Sequence, residues 1–297
     1  MIAPPTEQGP GFHHRRVGDI VVTCVSDGFL EGSMAVLQNI TVEDSSAMLR
    51  AAFRPVPRQT QLNCYLIQAA GRVALVDTGA GVHMQKTSGL LPRSLAAAGV
   101  APADIDTVLL THMHPDHSNG LAGPAGEALF PNAELVMHAA EPAYWMDEAI
   151  EAEVIRSGQG VTSTGPYFPM GRRQIAPYRD RTRLFTGGEV FPGVTAVPLP
   201  GHTPGHTGYL VASGAESLLI WGDIIHVPEV QVARPEVTIQ FDVDPGQAAT
   251  MRRRMLDMAA SERIHVAGMH LHFPGTAHIL RDGDGFRLVA DAWSDRL

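Results

Sequence analysis

Within one stretch, Thr111-His-Met-His-Pro-Asp-His117, three histidines and an aspartate fall inside six residues, directly after an apolar run. Divalent metals of borderline softness are held by imidazole nitrogens and carboxylate oxygens at about 2 Å. His112 and His114 stand two apart, so in extended chain they point to the same side and can grip one ion. Asp116 and His117 follow a proline that turns the chain, and can face a second ion a few ångströms away. Taken singly, any of these histidines reads as well as a solvent-facing strand end. The density of the cluster is what points to metal.

Further candidates stand on segments that end other apolar runs. Pro200-Gly-His202-Thr-Pro-Gly-His206 contains glycines that permit a tight turn towards a metal. Trp221-Gly-Asp223 closes a very apolar run, where an unpaired carboxylate is costly. A carboxylate that bridges two cations removes that cost. His270 or His272, in His-Leu-His, completes the set. His202 alone reads equally as an ordinary loop histidine, and its weight comes from following the 112–117 cluster in order.

Such a set must be positioned by strands. Short apolar runs bounded by Gly, Pro or Asp predict strands at 19–26, 63–68, 73–76, 107–110, 134–137, 194–199, 209–212, 218–221 and 265–268. Helical patterns follow Pro92, span 141–156, and span 244–261, the last opening on an Asp-Pro pair suited to a helix start. Alternating strands and helices imply a layered α/β fold. Two sections are alike: VALVDTG followed by VLLTHMH, and LLIWGD followed by HVAGMHLH. Two similar halves would bring both Asp/His clusters to corresponding strand ends on one rim of a sandwich. Residues 1–16, rich in Pro, Gly and His, are expected to form a loose arm, and 17–297 a single domain. Residues 157–188 carry no clean period, which suits a lid or binding loop.

Composition narrows the partners. The 297 residues are 44% hydrophobic and 18% charged, with a formal net charge of −9. An acidic chain without a dense Lys/Arg stripe does not suit a phosphate backbone, so nucleic acid is excluded as a partner. The basic stretch at 251–254 reads as a solvated helix face. No apolar run approaches the ~20 residues that span a bilayer, so no membrane partner is expected. Cys24 and Cys64 lie in apolar runs and read as reduced core thiols. The N-terminus lacks a basic segment followed by an apolar core, so a cytoplasmic location is expected. The expected partner is a small-molecule substrate, and a homodimer is compatible with the sequence.

The ordered series Asp77, His112-x-His114-x-Asp116-His117, Gly201-His202, Gly222-Asp223 and a last histidine resembles the metallo-β-lactamase superfamily. Within it, HTPGHT, WGD, VTIQFD and HLHFPGTAH resemble the methyl parathion hydrolase-like and lactonase branch. The resemblance implies a four-layer αββα sandwich with metals at one edge. It implies one metal on His112, His114 and His202, a second on Asp116, His117 and His270, and Asp223 bridging them. His270 is preferred to His272 because it stands three residues before the Phe-Pro-Gly segment. Asp77 would support the loop. No cysteine sits at a ligand position, unlike the thiolate-using β-lactamases, and every motif histidine is present, unlike the flavo-diiron relatives. Three residues beyond the bridging aspartate, where many homoserine-lactone lactonases have tyrosine, stands His226.

The cofactors so implied are two divalent ions, zinc first, with Mn, Fe or Co also suited to His/Asp donors. Two ions sharing one water bring its pKa towards neutrality, so a bridging hydroxide would attack an ester, lactone or organophosphate ester. Asp116 would pass a proton to the leaving group, with His226 as a helper. Trp145, Tyr167, Phe168, Met170 and His272 are candidates to line the substrate pocket, although each aromatic suits an ordinary core or loop position better. A thioesterase resembling glyoxalase II is the second reading, and needs a basic patch for which Arg252–Arg254 is the candidate. A non-catalytic metal-binding module is the third, disfavoured because no ligand position is lost.

Overall fold

The computed structural model describes residues 4–6, 8–158 and 165–297. Its first half runs β1 (Phe12–Val17), β2 (Ile20–Gly32), β3 (Leu37–Gln38), α1 (Val42–Ala51), β4 (Arg58–Ala69), β5 (Arg72–Val76), α2 (Leu91–Ala97), β6 (Thr107–Leu109), α3 (Pro115–Ser118), β7 (Glu134–His138), α4 (Ala140–Trp145), α5 (Glu148–Ser157), α6 (Tyr167–Ile175) and β8 (Thr182–Phe185). The second half runs β9 (Gly188–Phe191), β10 (Val194–Pro198), β11 (Thr207–Ser213), β12 (Glu216–Ile220), α7 (Pro228–Gln231), β13 (Thr238–Ile239), α8 (Pro245–Ser261), β14 (Val266–Ala267), β15 (Thr276–Asp282) and β16 (Gly285–Ala290).

Two seven-stranded sheets result, ordered β1-β2-β4-β5-β6-β7-β8 and β16-β15-β14-β12-β11-β10-β9. Alternation along the strands gives each sheet two apolar faces. The inner faces meet through Val22, Tyr65, Val76, Val194, Tyr209 and Ile220. The outer face of the first sheet packs on Leu91, Leu95, Trp145 and Phe168, and that of the second on Met255, Leu256 and Ala259 of α8. Helices therefore cover both outer faces, and the layers read αββα. The repeated sequence sections are repeated structure. β5 runs parallel to β6 in one sheet, and β12 parallel to β14 in the other. Asp77, His112, Asp223 and His270 all follow the C-terminal ends of these four strands, on one rim.

Several expectations need correction. The arm ends sooner than residue 16, because Phe12–Val17 pairs antiparallel with β2 in unbroken register. The helix expected over 141–156 is two helices: Asp147 accepts hydrogen bonds from the amides of Ala149 (2.7 Å) and Ile150 (3.1 Å) and starts a new one. In the stretch 157–188, residues 159–164 lie outside the described residues, and helix α6 and strand β8 occupy much of the remainder. Arg252 is not on a solvated face. Its buried guanidinium donates to the carbonyls of Ile224 (2.8 Å), Pro235 (3.0 Å) and Val237 (2.8 Å), so it ties down loops and is not available to a glutathione-like anion. No described helix is long and apolar enough to cross a membrane.

Helix α8 starts where its sequence says it should, and that start matters to the rim. The Asp244 carboxylate accepts from the Gln247 amide at 2.9 Å. The Asp244 and Val243 amides donate to the carbonyls of Gly201 and His202, each at 2.9 Å. Gly201, at φ +134°, lies against the backbone of Ala248 in space that a Cβ would fill. The Asp244→Ala variant should therefore lose about 1 kcal/mol of stability, the usual worth of such a cap. Urea unfolding checks this, through a lower midpoint at unchanged slope.

Candidate metal centre

The rim gathers the predicted residues into one cluster. His112 lies on the segment leaving β6, His114 is the residue before α3, and Asp116 and His117 sit on α3 itself. Between them Met113 turns the other way, into the core. His202 and His206 come from the loop between β10 and β11, Asp223 from a single 3₁₀ turn after β12, and His270 from the turn after β14. His112, His114, His117, His202, His226, His270 and Asp223 are buried, while Asp116 keeps 20% of its side chain exposed.

Asp223 is the hub. Its Oδ2 lies 3.1 Å from Nε2 of His226, 3.1 Å from that of His270, 3.3 Å from those of His117 and His202, and 3.7 Å from that of His112. Asp116 Oδ2 stands 3.6 Å from Nε2 of both His117 and His270. His114 turns Nδ1 inward, 2.8 Å from His202 Nε2.

Four of these histidines have their other ring nitrogen held from outside. His117 Nδ1 meets Asp77 at 2.7 Å, His202 Nδ1 meets Asp242 at 2.7 Å, His270 Nδ1 meets the Gln61 carbonyl at 2.8 Å, and His112 Nδ1 meets the Thr111 hydroxyl at 3.0 Å. Such outer partners fix which nitrogen bears the proton and aim the other one inward. Asp77, in a left-handed backbone conformation (φ 58°), also accepts from the amide (2.8 Å) and hydroxyl (2.7 Å) of Thr111. His206 does not join the ring of donors: its Nδ1 faces the Leu199 carbonyl at 2.9 Å, and its Nε2 accepts from the Asp223 amide at 2.9 Å.

These donors fit divalent cations. Ligand atoms about 2.1 Å from a tetrahedral ion lie about 3.4 Å apart, the scale of the spacings above. The ligand atoms of His112/His114/His202, of Asp116/His117/His270 and of His112/His117/Asp223 each converge within 4.8 Å, as do those of His202/Asp223/His226. Nε2 of His112 and His117 and Oδ1 of Asp223 are buried with no hydrogen-bond partner, which is costly unless a cation takes the lone pairs. Charge agrees. Burial and the neighbouring imidazoles push His112 and His114 well below the usual histidine range, leaving them neutral and able to donate a lone pair. Burial opposes the charge of Asp223, yet the facing imidazoles of His117, His270, His226 and His112 hold its carboxyl well below the usual range.

A cavity of about 210 Å³ opens over the cluster, lined by Asp116, His226, Arg58, Tyr167, Met84 and Phe241 among others. Tyr167 is therefore where the sequence placed it. Trp145 and Phe168 are not: both are fully buried and pack on each other at 4.8 Å between ring centres, because α4 and α6 turn those faces into the core. Met170 does not line the cavity either. The HLH segment forms a turn and not an extended chain, so its histidines part. His272 leaves the ring and meets Glu229 at 2.5 Å, lining an adjoining cavity with His226, His270 and Arg58.

Three supporting residues escaped sequence reasoning. Asp242 lay within the quoted VTIQFD motif without a role. Asp27, buried, accepts from the amides of Ala80 (2.9 Å), Gly89 (3.2 Å) and Leu91 (2.8 Å) and pins the loop bearing Met84. Glu141 joins the two metal loops. Its carboxylate accepts from the Met113 amide (2.8 Å), the Trp145 indole (3.0 Å), the Thr203 hydroxyl (2.5 Å) and the Gly205 amide (2.9 Å). A glutamate in an apolar helical stretch was the available signal.

Comparison with known proteins follows the same line. The family model described as the metallo-beta-lactamase superfamily matches residues 57–263. A protein of Mycobacterium bovis named as a probable metallo-hydrolase is 27% identical over 178 residues, covering 54% of this chain and 56% of that protein. The chain spans little more than half the length of the curated relatives it matches first. A crystal structure of the hydrolase AbOPH of the beta lactamase superfamily superposes with a TM-score of 0.91 at 29% identity, over 97% of this chain and 100% of that one. The fold is also that of AidC, described as a dizinc quorum-quenching lactonase, with a TM-score of 0.89 at 23% identity over 96% and 99% of the two chains.

Removing the Glu141 carboxylate strands four donors, three of them on the segments that carry His112, His114 and His202 and the fourth the core Trp145. Glu141→Ala should cost at least about 3 kcal/mol, since each buried group left unpaired costs about 1–3 kcal/mol. Chemical denaturation measures this, and a loss under about 1 kcal/mol would contradict the role.

Proposed function

The chain belongs to the metallo-beta-lactamase superfamily, and on that footing we propose that it is a dinuclear metal-dependent hydrolase of ester, lactone or organophosphate ester bonds. The observation that carries the proposal is the buried Asp223 carboxylate, one oxygen of which lies within 3.1–3.7 Å of five imidazole nitrogens. His112, His114 and His202 hold one cation and Asp116, His117 and His270 the other, with Asp223 shared. Two zinc ions are the proposed cofactor. When bound, such a pair supplies a hydroxide nucleophile near neutral pH and polarises the carbonyl or phosphoryl oxygen.

The chain's own groups do the remainder. Asp116, exposed to the cavity on one side, is placed to carry a proton to the leaving group. Burial holds His226 down to about 4, so it stays neutral and offers a hydrogen bond to a substrate oxygen beside Asp223. Burial pushes the Tyr167 phenol up, so it remains a donor at the cavity wall. Leu30, Met84, Ile239 and Phe241 form apolar walls that take an acyl or aryl group and exclude water. The substrate is accordingly a small organic molecule. Of the basic patch that the thioesterase reading needed, Arg252 is buried, whereas Arg253 and Arg254 are exposed and Arg253 lies 3.8 Å from Glu236.

Elemental analysis paired with a panel of lactone, aryl ester, phosphotriester and thioester tests the proposal. Two ions per chain and turnover of at least one oxygen ester are expected, and a content that never exceeds one after reconstitution would refute it. Asp223→Ala should lower kcat/KM by at least about 10³-fold and hold at most one ion, whereas Asp77→Ala, which removes only an outer partner, should lose about 10- to 100-fold. His270→Ala should lose one ion, and His272→Ala should keep both. Loss of an ion in the His272 variant instead would reverse that assignment.

A further inference from the structure

Arg58 is a cation in an unexpected place. It begins β4 at the wall of the cavity over the metal centre, and only 8% of the residue is exposed. Its guanidinium lies against Gly32, its register partner on β2, in space that a Cβ there would enter at 2.9 Å. Nη1 donates to the Thr60 hydroxyl, and the buried Nε has no acceptor. Among the described residues no carboxylate lies within ion-pair distance of it. The acidic groups nearby are otherwise engaged. Glu229 pairs with Arg54 (3.0 Å) and His272 (2.5 Å), and Glu31 accepts from Gln59 at 3.3 Å. Asp116 acts on Arg58 only through space, and it belongs to the metal centre in the proposed assignment.

A buried guanidinium is costly without a partner. This one has unused donor capacity, and it lines both the main cavity and the adjoining one of about 70 Å³, together with Thr60, His226 and His270. Arg54 and His272 also line the smaller cavity. We propose that Arg58 and Thr60 form an anion subsite beside the metal centre, and that the substrate carries a carboxylate on the part of the molecule directed away from the reacting bond. A guanidinium fork donates two parallel hydrogen bonds to a carboxylate, which gives orientation as well as affinity. The subsite deepens the hydrolase reading and rests on it for the reacting bond, but not for the anion.

Two 4-nitrophenyl esters test the idea on the metal-loaded full chain: the glutarate monoester, with a free terminal carboxylate, and its methyl-capped counterpart. The wild type should favour the free acid, and Arg58→Gln should lower kcat/KM for it about 10- to 100-fold, mainly through KM. The capped ester should change less than about 3-fold, and metal content should not change. Arg58→Lys, which keeps the charge and loses the fork, should recover part of the preference and serves if the glutamine variant fails to fold. Calorimetric titration with glutarate separates the two readings: the wild type should bind it at least about 10-fold more tightly than Arg58→Gln, whether or not either ester turns over. Glutarate discrimination without turnover of any lactone, aryl ester or phosphotriester of the panel would keep the subsite and remove the hydrolase reading. Equal losses on both esters, or equal glutarate binding by both proteins, would overturn the subsite.

Discussion

A buried carboxylate surrounded by imidazoles organises this protein. Asp223 sits at the mouth of the sandwich with one oxygen against five ring nitrogens and the other without a partner. Withdrawing an anion from water costs several kcal/mol unless opposite charge replaces the lost hydration. Under the proposed function, two cations beside Asp116 and Asp223 would meet that demand. The outer partners then follow as requirements. Asp77, Asp242, Thr111 and the Gln61 carbonyl each take the far nitrogen of one histidine, and without them the rings would be free to turn.

The two-sheet architecture is what allows ligands so distant in sequence to share one oxygen. Equivalent parallel strand pairs, β5–β6 and β12–β14, end on the same rim, so residues near 112 and near 223 and 270 arrive together. Glu141 fixes the spacing between the 113 and 203–205 segments, and α8 fixes the Gly201–His202 backbone from the other side. Rigid placement of this kind matters because a metal shell tolerates little displacement of its donors. The cavity above combines apolar walls with Arg58, which has no carboxylate partner among the described residues.

Much of this was legible in the sequence for a physical reason: ligand sets are local. Histidines two residues apart, or an aspartate closing an apolar strand, are constrained by geometry within a few residues. The repeated Asp-then-His-x-His sections announced that both clusters share one rim. What stayed hidden depended on contacts across the fold. Nothing local distinguishes Trp145 and Phe168, turned into the core, from Tyr167, turned into the cavity, although the last two are adjacent. Arg252 looked solvated because its carbonyl partners lie at 224, 235 and 237. His270 and His272 parted because the chain turns there, which strand alternation could not foretell. Strand β1 was hidden in a segment whose composition resembles a loose arm.

Asp223 shared by two cations is the arrangement on which the proposed function stands. Anomalous diffraction at the absorption edge of the bound metal, on crystals of the reconstituted protein, tests it most directly. Two peaks are expected, one among His112, His114 and His202 and one among Asp116, His117 and His270, both about 2 Å from Asp223 oxygens. A single peak, or two peaks with the Asp223 carboxylate bound to neither or to only one, would contradict it.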